Sequence, residues 1–192
     1  MKNVVEILND LDLEQVIKIQ KESLLDFSKI NNPDYVEEIN KKGFFIAPYS
    51  FDEFKKDKNK IILGIKEKDK VLAYIWISVV VDDHKYNKWI SEEIKKEILN
   101  KKIYKIKGIG VEKSKLGQGL GSKLLESLDN YLIDKSIKYL VSSIAFSPIK
   151  NLASLKFHKK LGFKKIAISP KVKYYGFDDY QCVLMAKLVR YN

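Results

Sequence analysis

The segment Tyr104–Ile133 changes character twice, and those changes limit what the chain can become. Its first part, "YKIKGIGV", alternates apolar residues with lysine or glycine and predicts a strand over Tyr104–Val111. Its last part places Leu120, Leu124, Leu125, Leu128 and Leu132 on one side of a helix predicted over Gly119–Ile133. Between them glycine recurs at positions 117, 119 and 121, and five of the nine glycines lie between Gly108 and Gly121. A glycine inside a regular element costs roughly 0.5–1 kcal/mol relative to alanine, so the cluster marks backbone that must curl or be closely approached. A helix start exposes N–H groups that lack intrahelical partners and carries partial positive charge. Bare backbone beside it makes a cradle for an anion such as a pyrophosphate. Lys113, Lys115 and Lys123 add positive charge around it. The alternative is a glycine turn with a structural job alone.

The strand changes phase within itself. Tyr104 and Ile106 are apolar on one parity, Ile109 and Val111 on the other. Successive side chains of a strand point to opposite faces, so an extra residue is needed to keep all four on one face. A bulge at Gly108 is therefore predicted. It would leave N–H groups at Ile109 to Val111 directed into a cleft. A strand buried on both faces without a bulge is the other reading of so short a run.

The rest of the chain supplies helices and strands in an order that fits helices on a mixed sheet. A helix is predicted over Glu14–Lys29, a second over Asp34–Lys41 with Pro33 at its first turn, and a short third opened by the capping box "SFDE" at Ser50–Glu53. "KIILGIKEKDKVLAYIWISVVV" reads as a hairpin whose second strand, apolar on both faces, is central in its sheet. "DDHKYNKWISEEIKKEILNKK", with Ile90, Ile94 and Ile98 at helical spacing, predicts an inserted amphipathic helix. Beyond the glycine turn follow a strand over Tyr139–Ile144, a helix over Leu152–Leu161 and strands over Phe163–Ser169 and Gln181–Leu188. The 192 residues carry no repeat or linker-like tract, and one domain spanning residues 1–192 is expected.

Composition bears on partners. The formal charge is +11, yet Arg190 is the one arginine, and the lysines are interleaved with acids rather than gathered in an arm. Arginine supplies the bidentate contacts that read bases and grip phosphates, so nucleic acid is disfavoured as a partner. No stretch has the roughly 20 apolar residues needed to cross a bilayer, and the first residues lack a signal-peptide core. A single cysteine, Cys182, excludes an internal disulfide and reads as a small buried residue. No membrane partner and a cytoplasmic location are expected, with a homodimer left open. Two histidines and one cysteine, widely spaced, make no metal-ligand set, so no metal is expected.

GxxxxGK[ST] and GxGxxG are both unmet, because Gly121 is followed by Ser122 and then Lys123, and the glycines run GxGxG. "IGVEKSKLGQGLGSKLL" instead resembles the acyl-CoA-binding segment of the GNAT superfamily of N-acetyltransferases: a bulged strand, a Gln/Arg-x-x-Gly-x-Gly/Ala turn and a helix. "NLASLKFHKKLGFKKI", at Asn151–Ile166, is similar to the later Asn…Ala/Ser…Phe/Tyr…Lys-Leu-Gly-Phe helix and strand of the same family. The resemblance implies an α/β (α+β) fold with a mixed, mostly antiparallel central sheet, a bulged and splayed strand pair, and flanking helices. It implies acetyl-CoA as co-substrate and transfer of its acetyl group to a primary amine of a small molecule or peptide. The cofactor-binding positions it implies are Ile109, Gly110, Val111, Leu116, Gly117, Gln118, Gly119, Leu120, Gly121, Ser122, Asn151, Ser154 and His158. Two departures stand out: Leu116 occupies the Gln/Arg position, and His158 stands where many members carry a tyrosine that serves the leaving thiolate.

The implied chemistry sets three tasks. The acyl oxygen gains charge, which an N–H of Val111 at the bulge would stabilise. The thiolate must be stabilised or protonated, for which His158 is the first candidate, a packing histidine being the alternative. The amine must be neutral to attack; Asp82 and Asp83, just past the central strand beside His84, are candidate bases, or else part of a polar connection. Glu112 is expected to point to solvent. By the resemblance the acceptor lies against the first two helices and the last strands, where "NNPDYVEE", "GFFIAPYSF" and "KVKYYGFDDY" bring aromatics and acids that suit a cationic amine flanked by apolar walls, core and rim being the alternative. Other readings are an acyl-CoA-binding module without turnover, motivated by Leu116, and, less favoured, a nucleic-acid-binding protein.

Overall fold

The computed structural model describes residues 5–80, 90–92, 95, 103–133, 137 and 139–189. Its helices are α1 (Leu13–Lys21), α2 (Pro33–Lys42), α3 (Phe51–Lys56), α4 (Leu120–Ile133) and α5 (Leu152–Lys160). Its strands are β1 (Val5–Ile7), β2 (Lys60–Glu67), β3 (Lys70–Val80), β4 (Ile103–Val111), β5 (Tyr139–Ser147), β6 (Lys164–Ile168), β7 (Val172–Tyr174) and β8 (Phe177–Leu188). The sheet runs β1-β2-β3-β4-β5-β8-β6, with β7 paired to β8. Every pairing is antiparallel except β4 with β5. This is the mixed, mostly antiparallel sheet with flanking helices that the resemblance implies.

β3 divides two layers. Ala73, Ile75 and Ile77 face α4, whose Leu124, Leu125, Leu128 and Leu132 are fully buried against them. Tyr74 and Trp76 face α1 and α3, packing with Leu13, Val16, Ile19 and Phe54. Burying each such side chain contributes roughly 1.5–3 kcal/mol, so the leucine stripe of α4 is a principal source of stability.

The phase change in β4 is a bulge. Ile77 pairs with Ile106 and Trp76 with Gly108, so Lys107 is the extra residue, one position before the predicted Gly108. Tyr104, Ile106, Ile109 and Val111 thereby all pack on the α4 side. Gly108 and Gly110 face the other way, and there the space is already taken. A Cβ on Gly110 would lie 2.4 Å from Tyr74 Cε1 and 2.9 Å from Ile19 Cγ2; one on Gly108 would lie 3.0 Å from Phe45 Cε1. These two glycines admit α1 and the Phe45 segment against the sheet.

Some elements differ from expectation. The first helix stops at Lys21, not Lys29, because the next residues pair with another chain segment: Leu25 N–H donates to the Phe45 carbonyl and Phe45 N–H to that of Ser23, both at 2.8 Å. Asp26 then caps a separate 3-10 turn, Phe27–Lys29. The last strand begins at Phe177, four residues before Gln181, because a two-residue turn at Tyr175 and Gly176, both with positive φ, folds β7 back on it. The edge strand β1 carries too short an alternation to be predicted. The inserted helix falls largely outside the described residues; Ile90, which is described, is buried beside Val141 and Leu184.

Gly110→Ala is expected to destabilise the protein by about 1–3 kcal/mol through overpacking against Tyr74 and Ile19, read as a lowered urea midpoint. Gly117→Ala, at φ 78° with open space around it, is expected to cost about 1–2 kcal/mol from backbone strain alone.

Candidate active site

The cleft exists because β4 and β5 part. They pair only over Ile103–Ile106 and Tyr139–Ser142. Beyond the bulge, the β5-facing edge of β4 has no strand partner among the described residues. Glu112 N–H donates to the Leu72 carbonyl at 2.8 Å, and in an antiparallel ladder alternate residues turn their N–H groups to opposite sides. Gly110 therefore bonds to β3, while the N–H groups of Ile109 and Val111 are directed toward the gap. The gap opens into a cleft of about 560 Å³ lined by Ile106–Val111 of β4 and Ser142–Ala145 of β5.

α4 closes one end. Lys123 N–H donates to the Gly119 carbonyl at 3.0 Å, the first intrahelical bond, so the N–H groups of Leu120, Gly121 and Ser122 lie ahead of it. These residues line the cleft with Leu116, Gly117 and Gly119. Gly117 and Gly119 both have φ of 78° and nothing within 4 Å of an added Cβ. They curl the turn and leave its surface bare. Gly121 has a different task, since its Cβ would meet Phe157 Cε2 of α5 at 3.2 Å.

α5 forms the opposite wall. Asn151 is buried and both ends of its amide are engaged: Oδ1 accepts from Ser154 N–H at 3.1 Å, capping α5, and Nδ2 donates to the Phe44 carbonyl at 2.9 Å. Asn151 thus ties α5 to the loop after α2. His158 is also buried, between Phe157 and Phe163. Its Nδ1 lies 2.8 Å from the Ser154 carbonyl. A carbonyl only accepts, so Nδ1 carries the proton and Nε2 is a bare acceptor, which has no partner among the described residues. Burial holds the imidazole down at about 4, from the usual 6.5, with the Ser154 carbonyl opposing more weakly. His158 is therefore neutral near pH 7.

The remaining wall is apolar and aromatic. Phe44–Ala47 and Tyr49 follow α2, and Tyr174 and Tyr180 come from the β7–β8 hairpin with rings stacked 4.8 Å apart. Burial raises the Tyr174 and Tyr180 hydroxyls above the ordinary range, so both stay protonated. Lys41, Lys42, Lys107, Lys115 and Lys160 complete the lining.

Ile109, Gly110, Val111, Leu116, Gly117, Gly119, Leu120, Gly121, Ser122, Asn151, Ser154 and His158 all border this one cleft. Gln118, also expected there, is exposed and does not line it. Asp82 and Asp83 lie outside the described residues. The last described residue of β3, Val80, pairs with Ile103, at the end of β4 remote from the cleft. Glu112 bonds Lys70 Nζ at 2.5 Å and does not line the cleft. Sequence reasoning missed Ser142–Ala145 and the lysines at the end of α2. The β5 residues carry no motif, and their role arises only from the parting of two strands. Among the described residues, no cluster of His, Cys, Asp or Glu could hold a metal ion, and no helix is long and apolar enough to cross a membrane.

A bulged strand parts from its parallel neighbour, with a glycine turn and helix start across the gap, which is the arrangement that the acetyltransferase resemblance implies. The sequence profile of the acetyltransferase (GNAT) family matches residues 24–163, and the chain belongs to that family. Solved structures agree in fold. The ribosomal-protein-S18-alanine N-acetyltransferase of Escherichia coli superposes with a TM-score of 0.67 at 18% identity, covering 100% of this chain and 96% of that one. An N-acetyltransferase of Staphylococcus aureus Mu50 gives 0.63 at 19% identity, over 99% and 100%. The PaiA N-acetyltransferase of Thermoplasma acidophilum, solved in complex with coenzyme A, gives 0.61 at 16% identity, over 98% and 99%. No curated protein matches the sequence.

The buried His158 makes stability depend on pH. Its folded-state value lies below the unfolded one, so the unfolded chain binds the extra proton and stability falls as pH drops from about 6.5 toward 4. The full loss is on the order of 3 kcal/mol. His158→Phe is expected to remove this part of the slope, measured by urea unfolding at pH 7.5, 5.5 and 4.5.

Proposed function

We propose that the cleft binds acetyl-CoA and transfers its acetyl group to a primary amine by direct attack. What carries this is the direction of the Ile109 and Val111 N–H groups, which enter the same cleft that the start of α4 borders. Acetyl-CoA supplies an activated thioester. The protein's part is to hold it and to favour charge on its carbonyl oxygen. The N–H groups of Leu120, Gly121 and Ser122, with the bare turn at Gly117 and Gly119, suit the diphosphate. Backbone and lysine, Lys115 among them, serve where Leu116 offers no polar group. Ile109 and Val111 suit the acyl end, where a fixed N–H donor is commonly worth about 3–4 kcal/mol in the transition state.

His158 fits a role other than the acid suggested by its position. Its proton sits on Nδ1, against the Ser154 carbonyl, so the buried Nε2 has no proton to give to a leaving thiolate. In the transfer the N–C bond forms, the C–S bond breaks, and the proton shed by the attacking nitrogen is available to the sulfur. Location in the cytoplasm and acceptance of nitrogen rather than another nucleophile belong to this proposal too.

A second reading, an acyl-CoA-binding module without turnover, is favoured by Leu116 and by the tautomer of His158. One experiment separates them. Acetyl-CoA is expected to raise the melting temperature and, with an amine acceptor, to release free thiol; a shift without thiol release across an amine panel would favour the module. Gly119→Asp, which places an anion in the cradle, is expected to weaken acetyl-CoA binding by roughly two orders of magnitude, about 2.7 kcal/mol, measured by calorimetry.

A further inference from the structure

From the way the segment after α2 crosses the parted strands we infer that Phe44 and Phe45 are specificity-determining residues: together they form the stop that holds the transferred acyl chain to acetyl. This role presupposes the acetyl-CoA reading above and concerns the donor alone.

The gap has two faces. On one, Ile109 and Val111 of β4 and Ile144 of β5 pack in the layer of α4 and α5. That face carries the glycine turn and the helix start. On the other, Gly108 of β4 presents no side chain and Ala145 of β5 only a methyl. Gly108 lies two residues past Ile106, and Ala145 three past Ser142, the last pair that joins the strands. They therefore stand at similar heights on the diverging strands. Phe45 covers Gly108: a Cβ there would lie 3.0 Å from its Cε1 and 3.5 Å from the Tyr74 hydroxyl. Phe44 is buried with Ala145 and Phe177. One ring thus sits on β4 and the next on β5, and the backbone between them bridges the gap just past the point of divergence. Both phenylalanines line the cleft.

The bridge is anchored through its main chain. Gly43 N–H donates to the Ile39 carbonyl at 2.7 Å where α2 ends. Phe45 N–H donates to the Ser23 carbonyl, and its carbonyl accepts from Leu25 N–H, both at 2.8 Å. The Phe44 carbonyl accepts from the Asn151 amide at 2.9 Å. Behind the Phe45 ring lies the buried cluster of Tyr74, Trp76 and Phe54. Close-packed side chains on fixed backbone yield little to an added methylene. The α4 start and the bridge lie on opposite faces of the gap. A donor held by the α4 start and by the Ile109 and Val111 N–H groups therefore presents its acyl end to Phe44 and Phe45. An acetyl methyl ends against them, and a longer chain must displace a ring.

The test measures binding of coenzyme A, acetyl-CoA and butyryl-CoA by calorimetry, which needs no acceptor. It uses the wild-type chain, Phe45→Ala and the milder Phe45→Leu, each checked for cooperative thermal unfolding. The wild type is expected to bind butyryl-CoA roughly 100-fold more weakly than acetyl-CoA. In Phe45→Ala that ratio is expected to fall below about tenfold, with Phe45→Leu in between. If Phe45→Ala does not fold, the ratio in Phe45→Leu decides. Equal binding of the two thioesters by the wild type would overturn the inference. So would an undiminished ratio in a variant that remains folded. In either case binding of coenzyme A leaves the cofactor reading standing, whereas its absence from the wild type would remove both.

Discussion

The parting of β4 from β5 is the feature on which the rest depends. Two parallel strands that pair for four residues and then diverge leave backbone groups without a strand partner, among the described residues, in the middle of a sheet. Buried groups of that kind carry a penalty of about 1–3 kcal/mol each unless water or a ligand meets them. A ligand that fits between the strands replaces the missing ladder. The proposed binding of acetyl-CoA thus follows from the same geometry that interrupts the sheet, and the neighbouring helix start adds a second row of N–H groups on the same cleft.

The glycine cluster that dominates the sequence serves three distinct purposes. Gly108 and Gly110 make room on the far face for Phe45, Tyr74 and Ile19. Gly117 and Gly119 adopt positive φ and keep the turn bare. Gly121 lets α4 approach Phe157. What reads as one motif is therefore a joint between packing and binding. The joint extends across the molecule through Asn151, whose amide couples the start of α5 to the Phe44 carbonyl and so fixes the aromatic loop relative to α5.

Much of this was legible in the residues. The parity change between Ile106 and Ile109 announced the bulge because a strand has a strict period of two, though the extra residue proved to be Lys107. The leucine spacing gave α4, and Ser50 with Glu53 gave the start of α3, whose capping box is formed. The end of α1 was not legible, since its helical pattern runs on while Leu25 and Phe45 pair across the fold. Nor was the tautomer of His158, which the Ser154 carbonyl dictates. The cleft gathers residues from β5 and from both ends of the helical layer, and no local pattern announces a gap between strands.

The central claim is that amides of the parted strand and of the α4 start hold acetyl-CoA. Its most direct test is a titration of the ¹⁵N-labelled protein with coenzyme A, following individual amides. Large shifts at Ile109, Val111 and Leu120–Ser122, saturating together, are the expected result. Saturable binding that leaves those amides unmoved while others shift would contradict it.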